Sequence, residues 1–199
     1  MNDLNDAVSA LFAAFKDIRR PKGCSMFREI SEEELYDYQS HVFDRGSWVT
    51  EYLYLFPRTI QAGVIENEWW FSPEATGKRI RETDLPSWPK KRVDALNHFL
   101  TTLFDFSISK PDTGDAIDSW ICAIAHMGLN IQPYLSQIEA SDYHILSYYV
   151  ENAHDLSQKK LSNSSWESLQ IEHNQIVEWF YSDKVSSLIE KAYGIRLKS

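Results

Sequence analysis

Residues 115–153, which read DAIDSWICAIAHMGLNIQPYLSQIEASDYHILSYYVENA, decide the fold class. Their apolar side chains recur at the spacing of one helix face, and short breaks separate the periodic runs. Gly128 stands where a C-terminal cap belongs, and Ser141 stands where an N-terminal cap belongs. The pattern therefore predicts three consecutive short helices, at about 115–127, 131–138 and 142–153.

The same periodicity continues in both directions from this stretch. On the C-terminal side, Ser165 and Gly194 are the expected cap residues of the last helices. On the N-terminal side, Ser31 and Glu34 form a capping box, and Phe56-Pro57 predicts a kinked helix or two helices that meet. No stretch shows the sustained alternation of a half-buried strand. Further helices are expected at about 4–18, 31–43, 48–65, 72–83, 89–104, 166–181 and 184–193.

The predicted architecture is all-α, with about nine or ten short helices. Two arrangements fit this succession of short helices and short connections. A HEAT-like stack of helical hairpins would repeat about every 40 residues, whereas an irregular helical bundle needs no repeat, and the sequence shows no clean one. The length of 199 residues suits a single all-α domain over 1–199. The segment SISKPDTG is the best internal boundary and would give a subdivision into 1–106 and 115–199.

Composition and charge limit the classes of function. The chain has 20 basic and 29 acidic residues, a formal net charge of −9, which argues against a nucleic-acid partner because such binding needs clustered positive charge. No apolar run approaches the roughly 20 residues of a membrane span, and we find no signal peptide. The two cysteines do not make a disulfide framework. We therefore expect a cytoplasmic protein that binds neither nucleic acid nor membrane.

Residues 52–60 read YLYLFPRTI, and Trp88-Pro89 begins a helix about thirty residues later. Together with Pro73-Glu74 and Lys78 between them, these elements resemble a family of uncharacterised bacterial cytoplasmic proteins with an FLPR-like and a WP-helix signature. The resemblance covers about residues 20–104. It implies an all-α fold and no assigned activity. Members often carry two nearby cysteines upstream, of which only Cys24 is present here, so the resemblance implies no metal or redox role.

The signature residues also have a purely structural interpretation. Pro57 turns the helix, so that Arg58 can leave the apolar face and either donate to backbone carbonyls or pair with a carboxylate. The alternative is that Arg58 lines a binding site for an anionic group. Trp88 is expected to pack back on the helix that Pro89 opens. We expect one N-terminal core that contains Trp48, Leu53, Phe56, Ile60, Trp88, Leu96, Leu100 and Leu103.

Cys122 and His126 are the one well-spaced pair of metal-ligating residue types. They lie four residues apart on one predicted helix and so share a face. Two further zinc ligands would have to come from residues such as Cys24, His98 or His144, and no spacing points to them. A thiol in the apolar run WICAIA is expected to be part of the core. We therefore expect no metal and no cofactor.

The aromatic content of 14% is the one compositional excess. In Glu68-Trp69-Trp70-Phe71, three large rings follow one another in a predicted surface loop, so at least Trp69 or Trp70 should be exposed. Glu66 and Glu68 would form a polar rim around them. The runs Tyr148-Tyr149 and Trp179-Phe180-Tyr181 raise the same expectation of an outward-facing ring, with burial on several sides as the alternative.

These features predict a non-catalytic interaction protein, either an adaptor or a neutralising partner. No recognised catalytic or phosphate-binding motif is present. The partner would be another protein, plausibly a basic one, bound through Glu66, Glu68, Trp69 and Trp70, and a homodimer would also cover the two indoles. The alternative function is a small-molecule-binding protein or enzyme, with a pocket near Pro57 and Arg58 holding an anionic group.

Overall fold

A computed structural model of the chain describes residues 2–22, 30–41, 48–67, 71–109 and 114–197. These residues form ten α-helices and no strand, so the all-α prediction is confirmed. No helix within these ranges is long and apolar enough to cross a membrane. Whether the helices repeat in the HEAT manner stays a prediction. The helices are α1 (Asn2–Phe15), α2 (Glu32–His41), α3 (Trp48–Ile60), α4 (Pro73–Glu82), α5 (Lys90–Ile108), α6 (Gly114–His126), α7 (Gln132–Ile138), α8 (Asp142–Leu156), α9 (Gln170–Phe180) and α10 (Asp183–Tyr193).

The chain divides into two compact units. The N-terminal unit comprises Met1–Ser72 and Arg79–Leu103, and the C-terminal unit comprises Pro73–Lys78 and Phe104–Ser199. Helices α4 and α5 therefore each contribute residues to both units. The predicted boundary at 107–114 falls partly on residues 110–113, which lie outside the described residues.

Helices α1 and α3 pack against each other in the N-terminal unit. Phe15 lies 5.5 Å from Phe56 and 5.4 Å from Trp88, measured between ring centroids. The Trp88 indole Nε1–H donates to the Thr83 carbonyl at 3.3 Å and to its hydroxyl at 3.2 Å. Trp88 was expected to pack back on its own helix. It is buried, and its ring lies against those of Phe15 and Phe56, whereas its packing on its own helix stays a prediction.

Seven of the eight predicted core residues are buried. Trp48 is the exception, because it is half-buried. Its ring lies 6.4 Å from that of Tyr52, and it packs against a second apolar cluster that includes Leu35 and Leu55. The seven buried residues are Leu53, Phe56, Ile60, Trp88, Leu96, Leu100 and Leu103.

Helix α3 continues through Pro57 without interruption, so of the two alternatives, one kinked helix or two helices that meet, the second is wrong. A proline removes one backbone donor, and the helix here still runs to Ile60. The backbone then widens into a π-helical turn at Gln61–Ile65, in which the Glu66 amide donates to the Gln61 carbonyl at 3.2 Å. The change in helix type therefore comes after Pro57 rather than at it.

Helix α6 is the most buried element of the C-terminal unit and packs mainly on α8. Two glycines allow close helix contacts. A Cβ at Gly77 would overlap the carbonyl of Ala123 on α6, and a Cβ at Gly114 would overlap the carbonyl of Ser147 on α8. Larger side chains at these two positions would push the helices apart.

Of the two alternatives for the adjacent aromatic residues in this unit, burial on several sides is confirmed for four of the five rings, and Tyr181 is half-buried. Tyr148, Tyr149, Trp179 and Phe180 are all buried. The Tyr148 ring lies 5.1 Å from Phe180, whereas the neighbouring Tyr149 ring lies 5.5 Å from Tyr193. Tyr149 also lies 6.5 Å from Phe180, so α9 and α10 together supply the rings that cover these two tyrosines.

The helix ends follow the predicted caps with one exception. The Ser31 hydroxyl accepts from the Glu34 amide at 3.1 Å, and Gly128 and Gly194 adopt the left-handed conformation, with φ of 78° and 69°. Ser141 occupies the N-cap position of α8, although its side chain makes no capping hydrogen bond. Ser165, expected to cap a single helix over 166–181, lies instead inside a 3₁₀ turn at Ser164–Ser168, and α9 begins only at Gln170.

Candidate functional site

An acidic cavity of about 360 Å³ opens on the C-terminal unit, and we call it the acidic pocket. It is formed by the start of α4, the first turns of α6, the middle of α8 and the loop that follows α8. Four of its lining residues carry carboxylates, and none of the described lining residues is a Lys, Arg or His. The lining residues are Glu74, Asp115, Asp118, Ser119, Glu151, Asn152, Ser162 and Asn163.

Helix α6 supplies three of these residues because of their spacing. Asp115, Asp118 and Ser119 lie three and four residues apart, so they share one face of the helix. The opposite face carries apolar residues of the core, such as Ile124. An amphipathic helix of this kind directs its polar face toward the cavity.

Asp118 lies at the buried floor of the acidic pocket, with 5% of its surface exposed. The Trp166 indole Nε1–H donates to Asp118 Oδ1 at 3.1 Å. Burial raises the pKa of Asp118, and hydrogen bonds to its carboxyl oppose that rise. The buried Tyr148 hydroxyl lies beside this carboxyl, and burial together with the nearby carboxylate raises the pKa of Tyr148 above its usual range.

The loop after α8 is held in place by side-chain hydrogen bonds. The buried Asn152 accepts from the Ser162 amide at 2.9 Å and donates to the Tyr148 carbonyl at 3.2 Å. Asn163 accepts from the Ser165 amide at 2.9 Å and donates to Glu74 at 3.0 Å. These bonds fix the wall of the pocket before any ligand arrives.

Two carboxylates at the rim of the pocket are exposed to solvent. They belong to Asp115 and Glu151, and neither forms an ion pair with another residue that the structure describes. The same residues contain no group of three or more His, Cys, Asp or Glu that could hold a metal ion. Carboxylates that surround a cavity without converging on one point suit an extended cation, such as a guanidinium group, better than a compact metal ion.

Two of the sequence-predicted site residues, Arg58 and Glu66, come together in the N-terminal unit. Arg58 is 8% exposed, and its Nη1 donates to Glu66 Oε1 at 2.9 Å and to Oε2 at 2.8 Å. Its Nε donates to the Ile30 carbonyl at 3.2 Å. The structural interpretation of Arg58, as a partner of a carboxylate, is confirmed. Glu66 was expected at the rim of an aromatic surface, but its charge is compensated within the chain.

Three further residues complete the predicted aromatic surface. Glu68, Trp69 and Trp70 lie outside the described residues, so their role stays a prediction. Phe71, the next described residue, has its ring directly against Gly63. A side chain at Gly63 would displace that ring.

Cys122 and His126 are both buried in α6, as expected of core residues. His126 Nε2 lies 3.1 Å from the Ser165 carbonyl oxygen. Burial raises the pKa of the Cys122 thiol, as expected for a cysteine that packs in an apolar core. That the protein binds no metal stays a prediction.

Sequence reasoning missed the acidic pocket. The available signal was Asp115 and Asp118 on an otherwise apolar helix, since a carboxylate there is costly unless it reaches solvent or a partner. Glu74 and Asn163 gave no such signal, because only the folded chain brings them together.

Comparison with protein-family models, with curated proteins and with solved structures found no match to this chain. The resemblance of the FPR and WP elements to uncharacterised bacterial proteins therefore stays a prediction, and the acidic pocket is interpreted from its own geometry.

Proposed function

We propose that this chain is a non-catalytic interaction protein that binds a basic protein partner, and that the acidic pocket receives a cationic side chain of that partner. The observation that carries this proposal is the cavity with four carboxylates and no cationic lining residue among those described. An adaptor and a neutralising partner would both use such a pocket. We keep the cytoplasm as the expected location.

Charge is the first support for this proposal. Four carboxylates around one cavity repel one another, and an incoming guanidinium or ammonium group relieves that repulsion. The chain as a whole carries a formal net charge of −9, which speeds the approach of a basic protein. Binding should therefore weaken as salt is added.

Pre-organisation is the second support. Asn152 and Asn163 hold the loop that closes the pocket through hydrogen bonds to Ser162, Ser165 and Glu74. A wall that is already ordered loses little entropy when a ligand binds. Arginine is the better occupant than lysine, because its planar group can bond two carboxylates at once.

The alternative function places an anionic small molecule on Arg58. The Arg58 guanidinium already bonds Glu66 and the Ile30 carbonyl. An anionic ligand would have to displace Glu66, so the geometry favours the acidic pocket over this alternative.

The test is a titration followed by two-dimensional NMR, with the peptide Gly-Ser-Gly-Arg-Gly-Ser-Gly as the probe. We expect shift changes centred on Asp115, Glu151 and Ser162. The same peptide with citrulline in place of arginine keeps the shape and removes the charge, so it should give no such changes.

Two variants make the test specific to the pocket. Asp115→Asn with Glu151→Gln should abolish the response to the arginine peptide. Glu32→Gln with Glu33→Gln makes the same change in net charge at two exposed positions of α2 and should leave the response intact. Equal loss of the response to the arginine peptide in both double variants would refute the proposal. Equal binding of the arginine and citrulline peptides would also refute it.

A further inference from the structure

The turn after α1 meets the start of α5 on the surface of the N-terminal unit. The Lys91 ammonium donates to one carboxylate oxygen of Asp17 at 2.9 Å, and the Arg92 guanidinium donates to the other at 3.2 Å, across 74 and 75 residues of chain. The Arg92 guanidinium also lies 5.4 Å from the centroid of the Phe15 ring. These contacts bring together two stretches of sequence, 16–22 and 90–94.

Most of the charged residues in these two stretches are basic. The stretches read KDIRRPK and KKRVD, so they hold seven cations and two carboxylates. Six of the cations are exposed, and Arg92 is half-buried. We call the seven cations the basic surface. Asp17 bonds Lys91 and Arg92, and Asp94 bonds Lys90. The other four cations form no ion pair with a residue that the structure describes, and they are Lys16, Arg19, Arg20 and Lys22.

The position of Lys90, Lys91 and Arg92 is unfavourable for α5 itself. They begin a helix of 19 residues, and its first turn contains no acidic residue. The N-terminal end of a helix carries a partial positive charge, so cations at that end oppose the stability of the helix. Residues that act against local stability are typical of functional sites. The three cations are therefore better explained by an anion that they attract than by the folding of α5.

We propose that the basic surface binds a short acidic segment of a partner protein. Charge complementarity supports this occupant, because seven cations and two carboxylates leave a local excess of five positive charges. The basic surface also contains an example of the contact it would make. Lys91 and Arg92 hold the Asp17 carboxylate between them, and carboxylates of a partner would meet the remaining cations in the same way.

The charge of the whole chain favours a short segment over a long polyanion. The formal net charge is −9, so the chain outside the basic surface is strongly negative. Charge interactions are screened beyond about 8 Å at physiological ionic strength, so a segment that covers only the basic surface is attracted mainly by its cations. A nucleic acid or an anionic membrane would extend farther and meet the acidic remainder of the chain.

This inference goes beyond the proposed function and does not depend on it. The acidic pocket would receive a cationic side chain, whereas the basic surface would receive carboxylates of a different protein. A chain with two surfaces of opposite charge suits an adaptor that joins two partners. A neutralising partner needs only one such surface.

The test measures binding of the labelled peptide Gly-Ser-Glu-Asp-Glu-Asp-Ser-Gly to the full chain by fluorescence anisotropy. We expect binding at low ionic strength that weakens as salt is added. The matching peptide with glutamine and asparagine in place of the four acidic residues should not bind. The surface variant, Arg19→Gln with Arg20→Gln and Lys90→Gln, should bind the acidic peptide about tenfold more weakly. It leaves both contacts of Asp17 in place.

A control variant makes the same change in net charge in the C-terminal unit. It carries Lys160→Gln, Lys191→Gln and Arg196→Gln, at three exposed positions, and should bind the acidic peptide as the wild type does. A loss confined to the surface variant supports the inference. No binding to the wild type, or equal loss in both variants, would overturn it and leave the proposed function standing, since that function is tested with an arginine peptide.

Two further measurements address other occupants of the basic surface. Tighter binding of a single-stranded oligonucleotide of equal charge, or of vesicles with anionic phospholipid, that the surface variant loses would assign the surface to phosphate groups and overturn the inference. Salt-sensitive self-association that only the surface variant loses would assign the surface to a second copy of the chain, and that result would overturn it as well.

Discussion

Asn163 donates a hydrogen bond from its side-chain amide to the Glu74 carboxylate at 3.0 Å, across 89 residues of chain. The oxygen of the same amide accepts from Ser165 at 2.9 Å and caps the 3₁₀ turn that follows. One side chain thus joins the start of α4 to the loop after α8 and completes the wall of the acidic pocket.

Asn163→Ala should lower the free energy of unfolding by about 1–2 kcal/mol, because it removes a cap and leaves Glu74 without this donor. Urea denaturation measures the change. Asn174→Ala is the matched control, since Asn174 is exposed and bonds only its neighbours on α9. An equal effect of the two substitutions would show that Asn163 has no joining role.

Arg58→Met should lower the free energy of unfolding by about 2–3 kcal/mol, because a buried charged donor to Glu66 and to the Ile30 carbonyl is lost. Arg58→Lys should not rescue the loss, since one ammonium cannot reproduce both contacts of the guanidinium. The control is Lys90→Met, which breaks the exposed pair with Asp94 and should cost about 0.5 kcal/mol or less. A loss at Arg58 as small as this control would contradict the structural role.

The helices were predictable because local spacing and capping chemistry determine them. Ser31, Gly128 and Gly194 cap helices where the sequence indicated. The error at Ser165 has a local cause, since Asn163 competes as a cap and offers its side chain to the Ser165 amide. The backbone therefore forms a short 3₁₀ turn before α9 begins.

The candidate site was not predictable because it depends on contacts between distant residues. Glu74, Asp118 and Glu151 belong to three different helices, and no spacing links them. The expectation of exposed rings at Tyr148-Tyr149 failed for a related reason. A sequence pattern shows which residues share one helix face, but it does not show how many neighbouring helices cover that helix.

Trp88→Ala should lower the free energy of unfolding by about 3–5 kcal/mol, since the indole is buried between Phe15 and Phe56 and its N–H bonds Thr83. Thermal melting followed by circular dichroism measures the effect. Ile171→Ala is the control, because that side chain is 80% exposed and should change stability by about 0.5 kcal/mol or less. An unchanged melting temperature for Trp88→Ala would contradict the core assignment.

Trp69 or Trp70 should be accessible to solvent in the monomer and shielded in a protein contact, since adjacent indoles in a loop cannot both be covered by the loop alone. Of the other five tryptophans, Trp48 is half-buried and adds a constant accessible signal, and the remaining four, Trp88, Trp120, Trp166 and Trp179, are buried. Acrylamide quenching should therefore weaken in the Trp69→Phe or Trp70→Phe variant. Light scattering shows whether a homodimer forms. Full shielding of both indoles in a strict monomer would contradict the predicted interface.

Asp118→Asn should stabilise the protein at neutral and alkaline pH and should have less effect in acid. Burial raises the pKa of Asp118 in the folded chain, so the folded state holds a proton that the unfolded state releases as the pH rises. Stability then falls between the unfolded and folded pKa values of this carboxyl, and the deficit is complete above the folded value. Asparagine has no charge to bury, and its oxygen can still accept from Trp166. Urea denaturation from pH 4 to pH 8 measures the difference, with Asp115→Asn, at the exposed rim of the same pocket, as the control. A variant that is less stable than the wild type across this range would show that the ionised carboxylate is stabilised by its surroundings and that the floor of the pocket already satisfies its charge.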